Sequence, residues 1–249
     1  MKKLFLTMCL MPVVAMVIAQ NTGKVTYEEK VKLDIRIDDT DAKMMEGIPK
    51  EHTSQKELYF TQDASLYQNS KNKKASVSTE TEPEDGPRMI IKMDEPKDQV
   101  YCDLKNNKRV EQRDFMTRMF LIESDLSQMQ WKLTGNQKRI LNYSCQEAVL
   151  QDTSKKVVVW FTPAIPVSTG PNGYSNLPGL VLSADIDNGK RAITATNIDL
   201  KDFDQSILVK PKEGKKVTRE AFNKIVDEKR KEMQEENGGK GDVIIKIQH

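Results

Sequence analysis

The chain has very few of the side chains that carry most nucleophilic and metal chemistry. Its 249 residues include two histidines, His52 and His249, and three cysteines. A Ser-His-Asp triad needs a histidine between nucleophile and acid, and neither histidine is accompanied by a Gly-x-Ser-x-Gly turn. Zinc needs about four Cys, His or carboxylate ligands, and no Cys-x-x-Cys or His-Glu-x-x-His is present. We therefore predict no catalytic residue, no metal and no cofactor, and classify the chain as non-enzymatic.

The sequence also lacks a phosphate-binding loop and a strong charge of one sign. Gly170, Gly173 and Gly179 are interleaved with prolines and precede a strand, whereas phosphate loops lead into helices. Basic and acidic residues number 39 and 37, and loss of two N-terminal lysines with a signal segment would balance them. A neutral chain has no long-range field for nucleic acid. We therefore expect no nucleic-acid partner.

One apolar run stands out, and it lies at the N-terminus. Two lysines precede apolar residues 4–18, and Ala19 is the small residue expected before a cleavage site. The run includes Pro12 and is too short for a typical membrane-spanning helix. We predict a signal peptide over residues 1–19 with cleavage near Ala19. The protein is then periplasmic or secreted, and it is not an integral membrane protein.

Two cysteines, Cys102 and Cys145, follow the signal segment. In an oxidising compartment a disulfide between them would close a loop of about 44 residues. By restricting the unfolded chain, it would stabilise the fold by about 4 kcal/mol. Sequence does not show whether their Cβ atoms lie within reach of each other. A disulfide and two separate buried thiols therefore both remain open.

Alternation of apolar and polar residues is the main pattern in the rest of the chain. The alternation predicts one long strand, and only Glu29 interrupts its pattern. The apolar residues of this strand are Val25, Tyr27, Val31, Leu33, Ile35 and Ile37. Asp187-Asn188-Gly189-Lys190 contains the Asn-Gly pair of a type I′ hairpin turn, and Thr218 is a helix N-cap. We predict a mainly β fold: a strongly curved antiparallel sheet or half-barrel with a C-terminal helix.

The composition divides the chain into three regions. Residues 1–19 are the signal peptide, residues 20–210 form an antiparallel β domain, and residues 211–249 form a C-terminal helix with a terminal strand or tail. Residues 71–88 are polar and contain almost nothing to bury except Val77. Such a segment cannot offset its ordering entropy, so we predict a mobile insertion there.

Residues 162–180 form a proline- and glycine-rich loop that follows Trp160. Its prolines remove much of its conformational freedom, and a stiff loop with aromatic residues suits a binding surface. The loop could equally seal the end of a β-barrel, and the sequence leaves both open. The candidate binding residues are Trp160, Pro163, Pro166, Gly170, Pro171, Tyr174, Leu177, Pro178 and Gly179.

Short motifs in and near this loop resemble those of the GLPGLI family of exported Bacteroidota proteins. Asn176-Leu177-Pro178-Gly179-Leu180-Val181 resembles its signature, with Asn for the first Gly and Val for the final Ile. Tyr143–Ala148 resembles its Tyr-x-Cys-x-x-Ala strand, and Trp160-Phe161-Thr162-Pro163 resembles its Trp-(Tyr/Phe)-Thr-Pro run. The resemblance extends over about residues 125–200.

The resemblance implies an exported protein with no assigned enzymatic activity, of a kind often encoded near TonB-dependent transporters. It also implies a core remotely similar to the half-barrel of lipoprotein carriers. We expect a non-enzymatic binding or accessory protein of the cell envelope, whose partner is an envelope protein such as an outer-membrane transporter, or a hydrophobic ligand. The alternatives are a structural envelope component and a carboxylate-based hydrolase. An open apolar groove on the concave face of the sheet would favour a lipid carrier. A packed interior would favour an accessory protein that binds other proteins.

Overall fold

The strands of the chain form one large curved sheet and two small two-stranded sheets. The computed structural model describes residues 21–36, 50–71, 76–81, 89–126, 129–151, 155–236 and 244–246. The predicted signal peptide therefore lies outside the described residues.

The described residues contain sixteen strands and one α-helix. The first eight strands are β1 Gly23–Lys32, β2 Asp34–Arg36, β3 Glu51–Phe60, β4 Ala64–Asn69, β5 Ser76–Thr81, β6 Met89–Asp94, β7 Gln99–Asp103 and β8 Lys108–Phe115. The other eight are β9 Arg118–Asp125, β10 Trp131–Ile140, β11 Tyr143–Leu150, β12 Val157–Thr162, β13 Leu180–Ile186, β14 Arg191–Asp199, β15 Lys215–Val217 and β16 Ile244–Lys246. The helix is α1 Arg219–Glu236.

Twelve strands make up the main sheet. Their order is β10-β11-β12-β13-β14-β1-β3-β4-β7-β8-β9-β15. All neighbours in it are antiparallel except β15, which runs parallel to β9. The two small sheets pair β2 with β16 and β5 with β6. The predicted mainly β fold, with a curved antiparallel sheet and a C-terminal helix, is confirmed.

The sheet curves until its two halves share one packed interior. Alternate residues of β1, including Val25 and Tyr27, face inward and are fully buried. They belong to one apolar cluster with residues of β3 and β7 from one half of the sheet and of β11, β12 and β13 from the other. The Tyr27 hydroxyl donates a hydrogen bond of 2.7 Å to the Val181 carbonyl across this interior. Below its rim, the concave side is filled by side chains.

The helix covers the last strands of the sheet. Thr218 Oγ1 accepts a hydrogen bond of 3.1 Å from the Ala221 amide, as expected of an N-cap. Phe222 then packs edge-on against Phe120 and Phe115, with ring centres 5.3 and 6.2 Å away. This apolar contact anchors the first two turns of α1 over β8 and β9.

No helix within the described ranges has both the length and the apolar character that crossing a membrane requires.

The chain turns at Leu141, which adopts a φ of 52° and separates β10 from β11. Because Leu141 is apolar, the pattern of hydropathy does not reveal this turn. Within the predicted insertion at residues 71–88, Ser76–Thr81 form strand β5, whose backbone pairs residue by residue with β6. The mobility of that insertion stays a prediction.

Candidate functional site

The proline-rich loop packs largely against the interior of the sheet. Five of its nine candidate residues are buried: Gly170, Pro171, Tyr174, Leu177 and Gly179. The exposed candidates are Pro163, Pro166 and Pro178. Trp160 is half-buried on β12, with Lys138 Nζ 4.2 Å from its ring centre. The structure thus does not gather the nine residues on one exposed surface, and their role in binding stays a prediction.

Contacts with distant strands hold the loop in place. The Trp131 indole donates a hydrogen bond of 2.7 Å to the Ser175 carbonyl, and the hydroxyls of Ser65 and Thr169 lie 2.7 Å apart. At Gly179 a Cβ atom would lie 2.1 Å from the Thr162 carbonyl oxygen. Only glycine permits that backbone approach without movement, so the local packing of the loop accounts for this residue.

Cys102 and Cys145 are both buried as free thiols. Cys102 lies on β7 under the loop, where a Cβ on Gly173 would lie 3.2 Å from its Sγ. Burial raises the pKa of the Cys102 thiol, and it also raises that of Cys145. Of the two alternatives that the sequence left open, the structure has the separate thiols.

Strand β8 places three charged side chains on the inward face of the sheet. Arg109, Glu111 and Arg113 are two residues apart, so all three side chains point to the same side. Glu111 is 0% exposed, and its carboxylate forms ion pairs with Arg109 at 2.8 Å and with Arg113 at 2.5 Å. It also accepts a hydrogen bond from Arg219, at the first position of α1. We call Arg109, Arg113 and Arg219 around Glu111 the arginine cluster.

Positive charge in this cluster exceeds what Glu111 balances. Burial lowers the pKa of Arg109 to about 10, and the nearby Arg113 guanidinium contributes to the shift. Burial lowers the pKa of Arg219 to about 10 as well, and Arg109 adds to that shift. Arg113 has a second acid, Asp98, at 3.0 Å. The cationic forms of Arg109 and Arg219 are therefore destabilised by burial and, in each case, by one neighbouring arginine.

A second buried ion pair lies where β1 meets β14. Arg191 donates a hydrogen bond of 2.9 Å to Glu29, and the Tyr67 hydroxyl donates one of 3.2 Å to the same carboxylate oxygen. Burial would raise the pKa of Glu29, but Arg191 and Lys56 outweigh it and leave the pKa below its usual value. The break in the apolar alternation of β1 is therefore an inward-facing charge.

A cleft of about 390 Å³ opens between β8, the turn at residues 171–174, the turn before β14, and α1. We call it the arginine cleft. Its apolar lining combines the rings of Phe115, Tyr174 and Phe222 with the aliphatic side chains of Val157, Ile186 and Val226. The loop contributes Tyr174 and also Asn172, whose side-chain oxygen accepts a hydrogen bond of 3.4 Å from Arg113. A pocket of about 40 Å³ adjoins it and shares Arg113 and Arg191.

The arginine cleft is suited to a polar ligand. Its five arginines carry forked N–H donors, and its aromatic rings provide flat apolar contact. Among the described residues, no group of three His, Cys, Asp or Glu side chains is placed as metal ligands would be.

Comparison with known proteins places the chain in a family. The family model described as "N-glycanase peptide, N-terminal domain" matches residues 50–223, well over half of the chain. The chain belongs to this N-glycanase N-terminal domain family. A search of curated proteins finds no match.

Three solved structures are similar to this chain. The structure of PNGF-II in space group P21 is 21% identical, with a TM-score of 0.53, and the match covers 84% of this chain and 34% of that one. The C2 form is 22% identical, with a TM-score of 0.49, and the coverages are 83% and 33%. An uncharacterised conserved protein from Thermus thermophilus is 9% identical, with a TM-score of 0.38, over 80% of this chain and 91% of its own. The chain thus spans about a third of the PNGF-II chain.

The family match corrects several predictions made from the sequence. Assignment to the GLPGLI family is wrong, because the matching model is that of the N-glycanase N-terminal domain. The classification as a non-enzymatic envelope binding or accessory protein is wrong for the same reason, since the matching family is an N-terminal domain of N-glycanases. Carriage of a hydrophobic ligand also fails on the structure, because the interior is packed and the open cleft is charged. Gly179, a residue of the motif that suggested the GLPGLI family, is explained instead by the close packing of the loop backbone.

Sequence reasoning missed the charged residues that form the cleft. Two signals pointed to them. Glu29 occupies a position that the alternation of β1 assigns to the buried face, and β8 contains Arg-x-Glu-x-Arg, which places Arg109, Glu111 and Arg113 on one side. Their partners Arg191 and Arg219 are distant in sequence and are brought near only by the fold.

Proposed function

We propose that the chain supplies substrate binding to an enzyme that removes N-linked glycans, with the arginine cleft as the site that holds the glycan. The observation that carries this proposal is the family match, which runs over residues 50–223. That range contains seventeen of the twenty residues that line the cleft, including those of β8, of the proline-rich loop and of the first turn of α1.

The chemistry of the cleft supports an oligosaccharide ligand. Sugar rings carry hydroxyl groups around their edges and C–H groups on their faces, so they need paired donors and acceptors beside flat apolar surfaces. The cleft provides the forked donors of Arg230, the amides of Asn172 and Asn223, and the rings of Phe115 and Tyr174. Its volume lies within the range of about 300 to 1,000 Å³ that is common for small-molecule sites.

Titration calorimetry with one N-glycopeptide and with the same peptide lacking its glycan tests the proposal. We expect the glycopeptide alone to bind. Asn223 is exposed on α1 and lines the cleft, so the bulky side chain of Asn223→Trp should fill the cleft and weaken binding. Lys224→Trp is the matched control, because Lys224 is the next helix residue, is exposed and does not line the cleft.

If Asn223→Trp and Lys224→Trp bind the glycopeptide with equal affinity, the glycan does not bind in the arginine cleft. Equal binding of the peptide with and without its glycan would refute glycan recognition altogether. Thermal melting of each variant separates a blocked cleft from a damaged fold.

A further inference from the structure

Basic side chains outnumber acidic ones in the arginine cleft. Seven basic and five acidic residues line it. Four of the acids accept hydrogen bonds or ion pairs within the protein: Glu111 from the arginine cluster, Asp98 from Arg113, Asp114 from the Lys97 amide at 3.4 Å and Asp187 from the Lys156 amide at 3.1 Å. The lining as a whole has an excess of two positive charges.

Two of the lining arginines also keep donors without protein partners. Arg109 and Arg191 each hold an acid through one terminal nitrogen, and their side chains are only 16% exposed. The Nε–H group of each makes no hydrogen bond within the part of the chain that the structure describes. A guanidinium has five N–H donors in a planar fork that fits the two oxygens of a carboxylate. Both Nε–H groups are buried, so an anion in the cleft would meet only the exposed part of each side chain.

The opposite wall of the cleft has the same sign of charge. Burial lowers the pKa of Lys155; Asp187 opposes this shift, while Arg230, Arg191 and Lys190 add to it by repulsion. Burial is the main cause of the lowered pKa values of Arg109 and Arg219 as well, and a neighbouring arginine adds to each shift. A bound anion would relieve that repulsion.

We infer that the arginine cleft selects substrates that carry a carboxylate close to the glycosylated site. This inference rests on the proposed function, because it names a class within the N-glycosylated substrates. The carboxylate has two sources: an acidic sugar of the glycan, or an acidic residue of the peptide near the glycosylated asparagine. The forked donors recognise the carboxylate in both cases.

Calorimetry with four ligands separates these sources. The ligands are a neutral glycopeptide, the same peptide with a carboxylate-bearing terminal sugar, the neutral glycan on an acidic peptide, and the acidic peptide without glycan. We expect at least one acidic glycopeptide to bind about tenfold more tightly than the neutral one, equivalent to about 1.4 kcal/mol. The advantage should shrink as salt rises, because ions screen the cleft.

Charge-matched variants locate the effect. The pair Lys190→Gln and Arg230→Gln removes two cleft cations and should abolish most of the preference for the acidic ligand. The control pair Lys229→Gln and Lys231→Gln removes the same charge from helix residues outside the cleft lining and should preserve it. Arg109→Lys keeps the charge but loses the planar fork, and it should weaken the binding of the acidic ligand more than that of the neutral one.

The outcomes distinguish the inference from the function on which it rests. Equal affinity for neutral and acidic glycopeptides, or an equal effect of the two variant pairs, would overturn the inference and leave glycan binding intact. If no glycopeptide binds, the proposed function and the inference both fail. If the acidic peptide without glycan binds as tightly as the acidic glycopeptide, the anion site stands and the proposed function is refuted.

Discussion

Glu111→Gln should strongly destabilise the fold, although it hardly changes the shape of the side chain. The side chain keeps its size, so no cavity forms, but the carboxylate that holds three arginines loses its charge. Glu111 is 0% exposed, so water cannot replace it. Arg113 retains Asp98, whereas Arg109 and Arg219 have no second acid among the ion pairs of the described residues. Breaking a buried ion pair from one side costs about 3 to 5 kcal/mol.

Denaturant unfolding of the wild type and Glu111→Gln measures this cost. We expect the free energy of unfolding to fall by about 3 to 5 kcal/mol, with an unchanged dependence on denaturant. Glu123→Gln is the control, because Glu123 is 53% exposed and lies 3.8 Å from Lys210 at the surface. Surface pairs contribute about 0 to 1 kcal/mol. A loss below about 1 kcal/mol for Glu111→Gln would show that the cluster does not depend on this carboxylate.

Two further predictions concern the loop and the second ion pair. Gly179→Ala should destabilise the protein by more than about 2 kcal/mol in denaturant unfolding, because the new Cβ would lie 2.1 Å from a backbone oxygen; exposed Pro178→Ala is the control, and equal losses would contradict the packing argument. The lowered pKa of Glu29 means that its pair with Arg191 stabilises the fold above about pH 4.5 and that this contribution is lost as the pH falls through the folded-state pKa. The difference in unfolding free energy between the wild type and Arg191→Met should therefore be largest near pH 7 and shrink below about pH 4.5, and a difference independent of pH would refute the assignment.

The fold could be predicted because its determinants are local. Alternation identifies β1, and the Asn-Gly pair identifies the turn between β13 and β14, where Asp187 and Asn188 adopt positive φ. The cap at Thr218 marks the start of α1. Such signals lie within a few residues of one another, so a single sequence contains them.

The site could not be predicted because it depends on residues far apart in the chain. Arg219 reaches Glu111 across 108 positions, and Arg191 reaches Glu29 across 162. Short motifs, in contrast, led to a wrong assignment, because the proline- and glycine-rich loop resembled another family. Gly179 in that loop is explained by one close backbone approach. A charged residue at a buried position of a strand, such as Glu29, was the better signal.

Hydrogen exchange of the protein with and without an N-glycopeptide tests the central claim most directly, because it reports both binding and its location. The account predicts added protection at the turn at residues 171–174, the turn before β14 and the first turns of α1. It predicts no change at residues 134–139 of the edge strand β10, none of which lines the cleft. Binding that protects those residues, or that leaves the cleft segments unchanged, would contradict the assignment of the arginine cleft as the substrate site.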